Sequence, residues 1–293
     1  MARQEKNALV AVDFQNDFVM PPKDEAEKLY PGVDLIQGIH WGSLSVPGGV
    51  AAADTFAQFI DSGAIKFHEI SFTHDCHDLH IATPILWVDA DGNHPAPFTW
   101  IKSEDVKNKK WRLNVPVQAL QQKALDYIVH LENEGRYILT VWFPHCQIGT
   151  YGAALYKPII DAAVAWRDKN IATLTHVTKG SNPWTEHYSG MMAAWVDPND
   201  RTTALNKNFI KMIQGYDNIY FGGLALNFCV RETMLDIIRN FDPDNVKKIV
   251  LLTDCTSAIP DPPGQTLFQS FTDSFLDEAT SAGMRLAKAA DLM

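Results

Sequence analysis

Strand-length apolar runs alternate with helix-period segments along almost the whole of this 293-residue chain, and that rhythm narrows the fold more than any other feature. The run ALVAV (8–12) is continuously apolar, as a strand buried on both faces must be. A helix, VAAADTFAQFIDSG, follows and closes at Gly63, and the strand KFHEISFT (66–73) comes next. Apolar residues at 117, 120, 124, 125, 128, 129 and 131 then fall at helical spacing before Gly135, and RYILTVW (136–142) reads as a strand. The alternation continues with a helix near 153–169, a strand at 171–177, a helix near 202–214 and a strand at 218–223. A helix over about 228–240, the strand KKIVLLTD and a helix near 265–282 complete it. Parallel strands need crossover helices, so the pattern predicts a doubly wound three-layer α/β/α sandwich with a mainly parallel sheet. The expectation is one domain over 1–293 with insertions near 19–47 and 84–140, the latter carrying several Pro and Gly and a charge run.

Composition excludes several function classes. With 35 acidic against 25 basic residues, a pI near 5.4 and no basic run longer than Lys107–Arg112, the chain lacks the electrostatic footprint of a nucleic-acid binder. The N-terminus MARQEKNALVAVDF is too short in apolar residues for a signal core or a membrane span, so a cytoplasmic protein is expected. Cys76, Cys146, Cys229 and Cys255 follow neither a disulfide framework nor a zinc-finger spacing. DFQNDF stands after the first strand where a dinucleotide-binding fold would carry G-x-G-x-x-G.

In a doubly wound sheet ligands bind beyond the carboxyl ends of the strands, and five successive predicted exits carry reactive groups. They are Asp13, the segment THDCH (73–77), FPHC (143–146), TKG (178–180) and the stretch around Cys229. A carboxylate at an apolar strand end can take a proton from a thiol and later return it to a leaving group, which suits Asp13. An ammonium beside a thiol favours the thiolate, which suits Lys179. Cys229 opens a predicted helix, where the dipole and unpaired N–H groups lower a thiol pKa. Asp75, His77 and His145 offer the oxygen and imidazole donors that suit Zn²⁺, Fe²⁺ or Mn²⁺, with His80 and His94 as further candidate ligands.

Together these segments resemble the isochorismatase-like cysteine hydrolases, and most closely the nicotinamidases. The resemblance runs in order through VDFQNDF (12–18), GSLSVPGG (42–49), THDCHDLH (73–80), WFPHCQIGT (142–150), TKG with HYSG (178–190) and GGLALNFCV (222–230). It implies a catalytic triad of Asp13, Lys179 and Cys229, and an oxyanion hole from the backbone N–H groups of Ala225 and Cys229 beside a cis bond at Leu224–Ala225. It also implies one divalent metal, zinc first with iron or manganese as alternatives, on Asp75, His77 and His145, and ring contacts from Phe18 and Trp142. The implied partner is a small-molecule amide, hydrolysed through a cysteine thioester in pyridine nucleotide metabolism, by a chain that could form a homo-oligomer.

Two departures keep alternatives open. The segment between THDCHDLH and WFPHC is longer than usual, and Leu226-Asn227 stands where nicotinamidases commonly carry Thr-Asp. The asparagine is similar to that of relatives acting on N-carbamoyl or ureido compounds, which generally lack the metal set. A metal-free hydrolase of such compounds and a non-catalytic small-ligand binder are therefore the competing expectations.

Overall fold

The computed structural model describes residues 5–293. Six parallel strands form the central sheet: β1 (Asn7–Val12), β2 (Phe67–Asp75), β3 (Thr175–Lys179), β4 (Asn218–Leu224), β5 (Ile249–Ser257) and β6 (Arg285–Ala287). Their order is β6-β5-β4-β1-β2-β3. Flanking the sheet are helices α1 (Gly49–Ser62), α2 (Gln118–Glu134), α3 (Lys157–Asn170), α4 (Lys207–Gln214), α5 (Arg231–Asn240) and α6 (Leu267–Ser281). Every residue of ALVAV is fully buried, as its unbroken apolar character requires. Helices α1 and α2 close at Gly63 and Gly135, as their sequences predict.

The strand order reverses beside β1, which pairs with β2 on one side and β4 on the other. In this fold class the crevice beyond that switch point is where ligands bind. Val12 is in register with both Thr73 and Gly223, and Asp75 with Lys179, so the exits of four strands open onto one place. β1 and β4 approach so closely that a Cβ on Gly223 would lie 2.0 Å from the Val12 carbonyl oxygen. Only glycine fits there.

One predicted strand is corrected. Segment 136–142 does not enter the central sheet; only Leu139–Thr140 is extended, and it pairs antiparallel with Trp100–Ile101 of the long insertion. A second antiparallel pair, Trp87–Val88 with Arg112–Leu113, lies in the same insertion. Periodicity alone could not reveal this, because a buried apolar run looks the same in a main sheet and in a side ribbon. The short β6 is the reverse case: Arg285–Ala287 is too short and too exposed to show a pattern.

Candidate active site

Asp13 leaves β1 with φ 49, a left-handed conformation that Asp tolerates better than most residues. Its carboxylate is fully buried. One oxygen accepts a 2.5 Å hydrogen bond from the Thr73 hydroxyl of β2, and the other lies 2.8 Å from the Lys179 ammonium at the end of β3. Lys179 Nζ also stands 3.0 Å from Asp75 Oδ1 and 3.7 Å from Cys229 Sγ. The structure thus brings Asp13, Lys179 and Cys229 together from three strand exits, all three of them buried.

Cys229 belongs to a π-turn, Leu226–Val230, immediately before α5, and the turn is closed by a 3.1 Å bond from Val230 N–H to the Ala225 carbonyl. The Leu224–Ala225 peptide is cis, as the resemblance implies. Ala225 and Cys229 both line the small cavity at this point.

Burial pushes the Cys229 thiol well above its ordinary range; the Lys179 ammonium opposes this and the Asp13 and Asp75 carboxylates add to it. The direction is opposite to the lowering expected at a helix start, because burial disfavours the thiolate. The resting thiol is protonated, so attack needs a base. Burial also raises the Asp13 carboxyl, although Lys179 and Thr73 oppose it. Lys179 keeps its proton, because Asp13 and Asp75 more than offset its own burial.

Asp75, His77 and His145 place their ligand atoms within 4.8 Å of one another, and all three are buried. His77 Nδ1 lies 2.9 Å from the Gly180 carbonyl and His145 Nδ1 2.7 Å from that of Phe143. A carbonyl only accepts, so each Nδ1 carries a proton, and Nε2 is the atom each ring can offer a metal. Both Nε2 atoms point to Asp75 Oδ2, at 3.0 and 3.6 Å. Two imidazole Nε2 atoms converging with a carboxylate in a buried space offer the donor set that a divalent cation takes. Gly180 keeps that space open, since a Cβ there would lie 2.6 Å from Asp75 Oδ1. Asp13, Asp75 and Cys229 also cluster within 4.8 Å, but the Lys179 ammonium already supplies their positive charge.

His80 is placed behind His77, their rings stacked at 3.9 Å, outside the ligand cluster. Its Nδ1 donates to Glu186 at 3.0 Å. Burial and His77 hold its pKa down at about 4, so this contact is a hydrogen bond to a neutral imidazole rather than an ion pair. His94 lies apart, bonded to the Trp87 carbonyl.

Phe18, Leu44, Trp142, Tyr188, Phe228 and Ile259 form the rest of the cavity wall, beside Asp75, His145 and Cys229. Phe18 packs on the His145 ring at 5.2 Å, and Trp142 Nε1 donates to the Tyr188 hydroxyl at 2.9 Å. Thr73, Tyr188 and Ile259 escape a reading of the sequence, since a strand threonine and scattered apolar residues carry no local signal of their neighbours. Gln15 is similar: its side-chain amide clamps the Asp75 backbone with two 2.7 Å bonds. Asp17 receives the Cys146 N–H at 2.7 Å, fixing the turn that follows His145.

No protein-family model matches the chain. It is 25% identical to the nicotinamidase of Saccharomyces cerevisiae over 255 residues, covering 87% of this chain and 89% of that one. Among solved structures, the Acinetobacter baumanii nicotinamidase/pyrazinamidase superposes with a TM-score of 0.57 at 23% identity, covering 99% of this chain and all of the other. The yeast nicotinamidase bound to the inhibitor nicotinaldehyde superposes with a TM-score of 0.57 at 19% identity, over 96% of this chain and 99% of that one.

Proposed function

We propose that this chain, a nicotinamidase homologue with the isochorismatase-like fold, hydrolyses nicotinamide or a close heteroaromatic amide to the carboxylate and ammonia. The observation that carries the reading is the cluster of Asp13, Lys179 and Cys229 beneath an aromatic cavity. Asp13 takes the thiol proton as Cys229 Sγ attacks the amide carbon, and the N–H groups of Ala225 and Cys229 receive the developing oxyanion. Asp13 then delivers the proton to the departing ammonia, leaving a thioester. Water, deprotonated by Asp13, releases the acid and restores the thiol. Lys179 stays charged throughout and offsets the negative charge that moves between Asp13 and Cys229.

Asp75, His77 and His145 would hold a divalent ion, zinc in the first place, which when bound supplies a Lewis acid for a ring nitrogen or a water. Phe18 and Trp142 flank a flat ring. The yeast relative's inhibitor, nicotinaldehyde, has the same pyridine ring. The cavity wall is apolar and aromatic apart from Asp75, His145 and Cys229, and Lys179 is committed to two carboxylates. The carboxylate of an N-carbamoyl amino acid meets no uncommitted ammonium or guanidinium among the side chains that line the cavity. All four cysteines are free thiols, in keeping with a reducing cytoplasm. Among the described residues no helix is long and apolar enough to cross a membrane.

The thioester is the step to test. With nicotinamide and hydroxylamine, wild type should form the hydroxamate by capture of the acyl group, and Cys229→Ala should form none. Hydroxamate from Cys229→Ala at the wild-type rate would remove the proposed nucleophile.

A further inference from the structure

Asn227 attracts attention in the sequence as a residue shared with ureido-acting relatives, yet its side chain does not line the cavity. It is 1% exposed and spends its amide on backbone. Nδ2 donates to the Ile259 carbonyl at 2.8 Å, Oδ1 accepts from the Ile259 N–H at 3.1 Å, and Nδ2 reaches the Phe268 carbonyl at 3.4 Å. Ile259, held at both its backbone groups, turns its side chain into the cavity wall beside Cys229.

The segment that carries Ile259 has little else to fix it. It follows β5 as IPDPPG, and its three prolines supply no N–H for backbone bonding. Besides the Asn227 clamp, Asp261 ties it down by accepting from the Phe268 and Gln269 N–H groups at 2.7 and 2.8 Å, at the start of α6. The aromatic walls are braced differently: Phe228 alone packs on Trp142, Tyr188, Phe268 and Phe271. Ile259 is thus an aliphatic wall whose place depends on one buried amide two residues before the nucleophile.

We infer that Asn227 is a positioning residue for Ile259, and that Ile259 limits which ring-substituted amides the cavity admits. The inference rests on the proposed amidase reading. The substrate class it assigns is a flat, uncharged heteroaromatic amide without bulk on the ring.

The experiment compares nicotinamide with a ring-methylated nicotinamide. Ile259→Ala should raise the kcat/KM ratio of methylated to unsubstituted substrate roughly 10-fold or more, the discrimination one methyl group commands in an apolar pocket. Asn227→Asp keeps the shape but sets an oxygen against two carbonyls. It should raise the same ratio, with KM for nicotinamide rising more than kcat falls. The double variant should add nothing beyond the larger single effect, because both act through one side chain. An unchanged ratio in folded Ile259→Ala, or equal losses on both substrates in Asn227→Asp, overturns the inference. Should wild type release no ammonia from either amide, the amidase reading fails separately. The cavity claim is then decided by Cys229 alkylation, where both variants must raise the rate of a bulky aryl iodoacetamide relative to iodoacetamide; an unchanged ratio refutes it.

Discussion

In the proposed mechanism Asp13 carries opposed demands: it must be ionised to accept the thiol proton, yet burial raises its pKa. Thr73 eases this by donating a 2.5 Å hydrogen bond to the carboxylate, which favours the charged form. Activity should therefore be lost as pH falls through the Asp13 pKa, on an acid limb above the ordinary carboxylate range. Removing the hydroxyl with Thr73→Val should move that limb to higher pH in a profile of kcat/KM; a limb that stays put would separate Asp13 from the titration. Asp13→Asn, which cannot accept the proton, should lower kcat/KM by roughly 10²–10⁴. A smaller loss, with the acid limb intact, would place the base elsewhere.

At the scale of elements, the site depends on how closely strand exits approach. Gly180 follows β3, and its missing Cβ leaves room for Asp75 and His77. Gly180→Ala should cost metal: stoichiometry measured on purified protein falls while the circular dichroism of the fold persists. Full metal content in that variant would contradict the assignment of Asp75 and His77 as ligands. The same elements show what a sequence can disclose. Asp13 follows the buried β1, Asp75 and Lys179 end β2 and β3, and Cys229 comes in the turn after β4, so position at strand exits marks them as neighbours before any coordinates exist. Thr73, Gln15 and Asn227 could not be read in this way, because each acts through a backbone or carboxylate brought close only by tertiary packing. The misplaced strand at 136–142 has the same cause, since its partner Trp100–Ile101 lies in an insertion with no pattern of its own. The lowered thiol pKa expected at Cys229 failed for a different reason: a helix start is visible in sequence, whereas complete desolvation is not.

Across the whole molecule, the long insertion is tied to the nucleophile's helix by buried charge. Arg136, just after α2, pairs with Glu232 and with Asp236 at 3.1 Å, and Glu232 also takes Arg231. Glu232→Ala leaves Arg231 without its carboxylate, and unfolding should become easier by about 3 kcal/mol, at the low end for a broken buried pair because Asp236 still faces Arg136. Thermal or denaturant melts read this directly, and a loss under about 0.5 kcal/mol, typical of a surface pair, would show the cluster to be solvated. The chemistry proposed for this fold and its aromatic cavity is the transfer of an acyl group from a flat amide to Cys229. The most direct measurement is ammonia release from nicotinamide and from an N-carbamoyl amino acid, assayed side by side with wild type and Cys229→Ala. The account predicts ammonia and nicotinate in equal amounts from nicotinamide, none from the carbamoyl compound, and none from either with Cys229→Ala. Hydrolysis of the carbamoyl compound with nicotinamide untouched would contradict it.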